Sequence, residues 1–438
     1  MATSVRFWKE GQRFLPIFPQ LCVVREPNHC KMSLKKLCRQ SRQSHARIAD
    51  AKDGSWTAPG KLLCEPGRLP HCRGSQGNVC RPLLQLNTTT QIRSICTSSL
   101  CSSQKSSPDP RTPSDPFQLV STEMSTLYND IRMELATFGS VLRDMSHYYF
   151  DGQGKAFRPM VVLLMSRACN FHNGASENGL ALPSQRRISM IAEMIHTASL
   201  VHDDVIDEAD TRRGKACVSN LHGQRKAILT GDYILTVSSM ALASIGNKDV
   251  VILLSQVIED LVRGEFMQLG TKEDEDERFA HYLKKTFKKT ASLLAHSCRA
   301  VAVLSGGCKE VQEVAYQYGK NLGIAFQLVD DMLDFMSTEE LMGKPTAADL
   351  KLGLATAPVL FASEKYPELN AMIMRRFSEP GDVELAREAV TKTESLQQSR
   401  ILAEQYCREA VRQIQQLAPS PEREALVTLT QKVLNRKK

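Results

Sequence analysis

Two aspartate clusters place the strongest constraint on how this chain can fold. The first, Asp203-Asp204-Val-Ile-Asp207, closes an apolar run that starts near Glu193. The second, Asp330-Asp331-Met-Leu-Asp334, lies far downstream and closes Gly323-Ile-Ala-Phe-Gln-Leu-Val329. On a helix, Asp203 and Asp207 are i and i+4 neighbours, roughly 5–6 Å apart at Cβ, so both carboxylates leave one face. Such a pair suits a hard divalent cation, which takes a couple of carboxylates and leaves room for substrate phosphate. A lone cluster of this kind is also compatible with a solvated acidic face. Two of them, each ending an apolar helix, are expected to line opposite walls of one cavity.

The rest of the chain supports a helical bundle around that cavity. From Phe117 onward, Leu119, Met124, Leu127, Ile131, Leu135 and Phe138 recur at three- and four-residue spacing, which predicts an amphipathic helix. Strand signals are scarce, and no repeat period suggests a solenoid. The expected fold class is all-α, with about ten or more helices.

The length of 438 residues would by itself allow two or three domains. Charge divides the chain differently. Up to Asp115 there are 18 Lys and Arg against 7 Asp and Glu, whereas the remainder holds 38 against 41. The positive balance therefore belongs to the leader, which argues against a nucleic-acid-binding core. Residues 1–112 are basic, serine-rich and poor in acids, with Arg6, Lys9, Arg13 and Arg25 set among Phe, Leu and Val. That is the composition of an organelle-targeting segment, followed by a disordered Ser/Pro-rich linker through Thr97–Pro116. The expected globular domain is 113–438. No apolar run is long enough to span a membrane. Eight of the 13 cysteines lie in the leader without a CxxC pair, which speaks against zinc; the five others are scattered, as free thiols would be.

Basic residues flank the first cluster. Arg212 and Arg213 follow it, and guanidinium forks suit phosphate oxygens better than lysines do; pairing with Glu208 or Asp210 is the alternative. Gly152-Gln-Gly-Lys-Ala-Phe-Arg-Pro159 is a glycine-rich turn into a helix, placing Lys155 and Arg158 where free N–H groups attract phosphate. An ordinary basic turn has the same composition.

With both aspartate motifs and Arg212-Arg213-Gly214, the chain resembles the trans-prenyltransferases, or isoprenoid diphosphate synthases, and within them the long-chain mitochondrial branch. The resemblance implies the isoprenoid synthase fold. It also implies addition of isopentenyl diphosphate to a farnesyl or geranylgeranyl diphosphate primer, giving a nine- or ten-unit side-chain precursor of ubiquinone. Carried over residue by residue, Asp203, Asp207 and Asp330 would bind two or three Mg2+ ions, with Asp204, Asp331 and Asp334 completing the catalytic motifs. Lys155, Arg158, His196 and Arg213 would hold isopentenyl diphosphate, and Arg212 and Lys289 the allylic diphosphate. A lone histidine such as His196 is otherwise an ordinary core residue. Gln327 would approach the allylic chain. Gly231-Asp232 is assigned a packing role, Arg263-Gly-Glu-Phe-Met-Gln268 matches the family's GExxQ segment, and Lys284, Lys285 and Lys288 read as surface charges. In the family's Gly-Lys-x-Thr pattern, Leu354 stands in place of lysine, with Lys351 as the substitute. The resemblance further implies a mitochondrial matrix location, peripheral membrane contact, and a heterotetramer with a second, motif-degraded subunit. A non-catalytic scaffold subunit is the competing reading; its signature would be loss of the metal carboxylates, and all six are present.

Product length has a physical argument. Ala198 and Ser199 precede Asp203 by five and four residues, roughly 6–7.5 Å along a helix. Short-chain relatives carry bulky aromatics at this level. Small residues here leave the tunnel open and predict a long product, although close helix packing also selects small residues.

Overall fold

The computed structural model describes residues 115–136, 139–152, 156–175, 180–212, 214–269, 275–336 and 347–436. All belong to the larger of the two units into which the chain divides, Ala58–Lys438. The leader, Phe138, Lys155, Arg213 and Gly343-Lys344-Pro345 lie outside the described residues.

Helices of two turns or more are numbered in chain order: α1 Ser121–Glu134, α2 Ser140–His147, α3 Phe157–Asn173, α4 Pro183–Ile206, α5 Gln224–Ala243, α6 Lys248–Leu269, α7 Glu275–Thr286, α8 Ser292–Leu304, α9 Lys309–Met336, α10 Asp382–Lys392, α11 Ser395–Ile414 and α12 Pro421–Leu434. The all-α expectation holds, with one small exception. Thr211–Arg212 and Lys215–Ala216 form a two-residue antiparallel hairpin, β1 and β2, directly behind the first aspartate cluster.

The helix expected from Leu119 onward is two elements. Pro116–Leu119 forms a short turn, Val120 leaves helical geometry, and α1 then runs to Glu134. Its apolar stripe behaves as its period demands: Leu127, Ile131 and Leu135 are fully buried. Local chemistry fixes the other starts. Pro183 opens α4, and the Gln185 side chain accepts the Leu182 N–H at 2.8 Å. Pro421 opens α12, where Ser420 Oγ accepts the Arg423 N–H.

At the centre stands α8, buried on nearly every side from Ser292 to Val301 and packed against α3, α4, α6 and α9. A helix apolar all round belongs in an interior. Around it α4 packs on α5, and α9 packs on α11. Between α7 and α8 the helix does not stay regular: Phe287–Ala291 is a π-turn, packed against α6 and α9. The core therefore places the ends of α4 and α9, the middle of α6 and this π-turn around one region.

Candidate active site

The first cluster sits at the end of α4, with Asp207 as its C-cap. Asp203 lines a cavity of about 350 Å3 together with Ser199, Glu265, Lys289 and the apolar side chains Ile195, Leu235, Ile258 and Leu261. Lys289 comes from the π-turn. Its Nζ donates to Glu265 Oε2 at 2.6 Å and Gln268 Oε1 at 3.2 Å, and stands 3.8 Å from Asp203 Oδ1. The GExxQ segment thus meets Lys289 directly. Burial pushes the Asp203 carboxyl up to about 6, against the pull of Lys289, with Glu265 and Asp207 adding repulsion. Asp207 is raised for the same first reason. Burial opposes the charge of Lys289, yet Asp203 and Glu265 outweigh it, and its pKa rises.

Each motif treats its middle aspartate differently from its outer ones. Asp204 is only 2% exposed and Asp331 only 1%. The Tyr149 hydroxyl donates to Asp204 Oδ2 at 3.0 Å, and Arg212 Nε donates to Oδ1 at 2.5 Å. In the second motif the Tyr282 hydroxyl donates to Asp331 Oδ2 at 2.5 Å, and Gln327 Nε2 donates to Oδ1 at 2.8 Å. Two tyrosines from unrelated stretches thus hold the middle carboxylates inward, and the outer carboxylates are the more accessible pair in each motif. Neither tyrosine carries a local sequence signal, and both were missed by sequence reasoning. So was Asp349, a half-buried residue whose carboxyl faces Asp331 and Asp334.

The other residues fall into place around this frame. Gln327 also accepts the Thr290 hydroxyl at 2.9 Å, so it ties the π-turn to α9. Asp334 accepts the N–H groups of Ala348 and Asp349, anchoring the chain where it re-enters after 337–346. Asp330 pairs with Arg436 at 2.7 Å, and that guanidinium lies 3.9 Å from the Phe326 ring centre. Phe326 in turn stacks on Phe157, which brings the start of α3, with Arg158 as its second residue, beside the second motif. His196 is half-buried on α4, seven residues before Asp203 and so on the same side of the helix.

Some expectations separate on inspection. Ser199 lines the cavity, but Ala198 is buried in a different cluster with Leu127, Ile131 and Ile234. Lys288 is not a surface charge: it is paired with buried Asp260. Nor is Lys285, whose pKa is lowered by burial and which faces Asp331 and Asp349; Lys284 is exposed. For Lys288 the reason is the π-turn, which turns Lys288 and Lys289 toward α6; Lys285 precedes it on α7. Lys351 is exposed, and it is Lys285 that lines a small pocket with Leu354. Gly231 packs against the His202 ring, whose Nε2 would stand 2.2 Å from a Cβ there, in keeping with the packing role expected of Gly231; His202 itself also lines the cavity. A larger open cleft near Arg167 and Arg186 carries none of the motif residues.

The donor set fits a hard cation. Asp203 and Asp207 are desolvated oxygen ligands one turn apart that repel each other and Glu265, and nearby positive charge comes from Lys289 and Arg212. Among the described residues, no group of three or more His, Cys, Asp or Glu side chains is arranged to hold a metal ion by itself.

The chain matches the family model described as polyprenyl synthetase over residues 139–390, and it belongs to that family. It is 63% identical over 326 residues to the human all trans-polyprenyl-diphosphate synthase PDSS1, covering 74% of this chain and 78% of the relative. It is 45% identical to a probable hexaprenyl pyrophosphate synthase, mitochondrial, of Yarrowia lipolytica, covering 74% of this chain and 85% of that one. Among solved structures, a polyprenyl synthase from Caulobacter crescentus complexed with calcium and isoprenyl diphosphate superposes with a TM-score of 0.67. It is 27% identical and covers 75% of this chain and all of that one.

Proposed function

We propose that this chain is the catalytic subunit of a mitochondrial long-chain trans-polyprenyl diphosphate synthase. It extends farnesyl or geranylgeranyl diphosphate with isopentenyl diphosphate to nine or ten units, for the side chain of ubiquinone. The observation that carries the reading is the apolar cavity that opens beneath Asp203 and Lys289. A phosphate-binding head with a greasy pit below it suits a chain that grows from its diphosphate end.

Asp203, Asp207 and Asp330 would hold two or three Mg2+ ions. Bound there, Mg2+ neutralises charge building up on the departing diphosphate. Lys289 and Arg212 direct fixed positive charge at the same group, and Arg212 is aimed by Asp204. Lys155, Arg158, His196 and Arg213 would orient isopentenyl diphosphate so that its double bond faces the allylic carbon. The new carbon–carbon bond forms there, a proton leaves the neighbouring carbon, and the released diphosphate takes it. Asp331 and Gln327 keep the second wall rigid through Tyr282 and Thr290. Each cycle pushes the tail further past Ser199 and Ile195.

The leader 1–112 is proposed as a transit segment and linker, with the matrix as destination; the mitochondrial name of the Yarrowia relative supports this. Assembly with a second, motif-degraded subunit as a heterotetramer is supported by the apolar side chains that α5 and α6 leave exposed, Leu229, Met240, Ile252, Val262 and Phe266. Peripheral membrane association is part of the proposal; no described helix is long and apolar enough to cross a membrane.

The test uses the full chain, alone and co-expressed with the second subunit, with Mg2+, farnesyl diphosphate and labelled isopentenyl diphosphate. Long products are expected, and Asp203→Ala should reduce the rate on the order of 10³-fold. A variant that keeps its rate would remove the metal role of Asp203. No product under either condition would remove the catalytic reading.

A further inference from the structure

The π-turn Phe287–Ala291 is gripped from two sides, by α6 and by α9. On α6, Gly264 faces it: a Cβ there would stand 3.1 Å from the Lys289 backbone nitrogen and 3.3 Å from Lys288 Cβ. The two lysines straddle that glycine. Lys289 reaches forward along α6 to Glu265 and Gln268, and Lys288 reaches back to Asp260, with Nζ 2.5 Å from Oδ1. Asp260 is buried, and its other oxygen accepts the Ser292 hydroxyl at 2.6 Å. Lys288 lies inside the π-turn and Ser292 is the first residue beyond it, so one carboxylate spans the exit of the turn. On the opposite side, Gly323 of α9 comes so close that a Cβ would stand 2.6 Å from Ala291 Cα.

A single π-turn inside an α-helix is a rare geometry that needs external support. Neighbouring side chains on a regular helix point about 100° apart, so relaxation of the turn would swing Lys289 and Thr290 away from their partners. A buried ion pair adds little net stability over an apolar pair of the same volume. Its use in this place is geometric. We infer that Lys288, acting through Asp260, is a positioning residue: the pair pins the π-turn and so sets where Lys289 and Thr290 stand against Asp203 and Gln327. This rests on the role given to Lys289 above.

The experiment measures kcat and KM for farnesyl and isopentenyl diphosphates, with Tm, on the full chain co-expressed with the second subunit. The variants are Lys288→Met, Lys288→Arg, Asp260→Asn, Lys289→Ala and the double variant Lys288→Met/Lys289→Ala. Lys288→Met should lower kcat/KM for farnesyl diphosphate about 10- to 100-fold, as loss of an outer supporting partner does, while KM for isopentenyl diphosphate holds. Lys288→Arg should restore most of the rate. In the double variant, Lys288→Met should add nothing to the loss from Lys289→Ala, because one acts through the other. Losses that multiply, or a Lys288→Met protein with lower Tm but unchanged kcat/KM per folded molecule, would overturn the inference. If Lys288→Met does not fold, the isosteric Asp260→Asn is judged by the same criteria. Full activity in Lys289→Ala would instead remove the role of Lys289, and the positioning role with it.

Discussion

Ser199 and Ala198 are neighbours with opposite fates. The sequence presents both as small residues beneath the metal site, but helical geometry sends adjacent side chains in directions about 100° apart, so only one can face the growing chain. Ser199 lines the cavity, and Ala198 is packed against Leu127, Ile131 and Ile234. Ser199→Phe is therefore expected to shorten the product by several isoprene units with little change in Tm. Ala198→Phe is expected to overpack the core and cost about 1–3 kcal/mol or more, lowering Tm before it alters product length. Chain-length analysis of both variants, alongside thermal melts, checks this; the same product shift from both would contradict it. The residues most readily read from sequence were the charged ones in motifs. What supports them, Tyr149, Tyr282 and Asp260, was hidden, because a single buried polar residue has no period and no pattern until the fold supplies its partner.

Helices were legible wherever one face is buried, as on α1, and less so where context decides. The π-turn is the clearest case. Phe287-Lys-Lys-Thr-Ala291 has ordinary helical composition, and only its contacts with α6 and α9 reveal the change of pitch. That turn is also why Lys288, which composition presents as a surface charge, is paired with buried Asp260 instead. A second junction, where the end of α9 meets the short helix Ala348–Lys351, has a measurable signature. Burial raises both carboxyls above the ordinary value of 3.8, Asp331 to about 6 and Asp349 to about 8, with repulsion from Asp331 and Asp334 adding to the burial of Asp349. Between these limits the folded chain keeps protons that the unfolded chain has released. Metal-free stability should therefore fall as pH rises from about 4 to about 8. In calorimetry with chelator present, Asp349→Asn should flatten the upper part of that decline. Parallel curves for the variant and the parent chain would refute the assignment.

At the scale of the molecule, the core is complete, yet α5 and α6 leave Leu229 63%, Met240 67% and Phe266 72% exposed. Patches of this kind mark surfaces meant to be covered. If this face carries the proposed second subunit, Leu229→Asp with Met240→Glu should lower the sedimentation coefficient of the co-expressed protein, with Tm of the isolated chain nearly unchanged; unaltered sedimentation would count against this face. The same architecture constrains how the gene can drift. Helix ends and loops in a bundle tolerate gained or lost codons, because a neighbouring turn absorbs them. A π-turn holds one more residue per turn than its flanks, so deleting a codon within 287–291 would yield a more regular helix and a better local conformation. It would also rotate Lys289 and Thr290 out of register with α6 and α9. Along this stretch, the deletion that looks most benign in an alignment is the one that should cost the enzyme most.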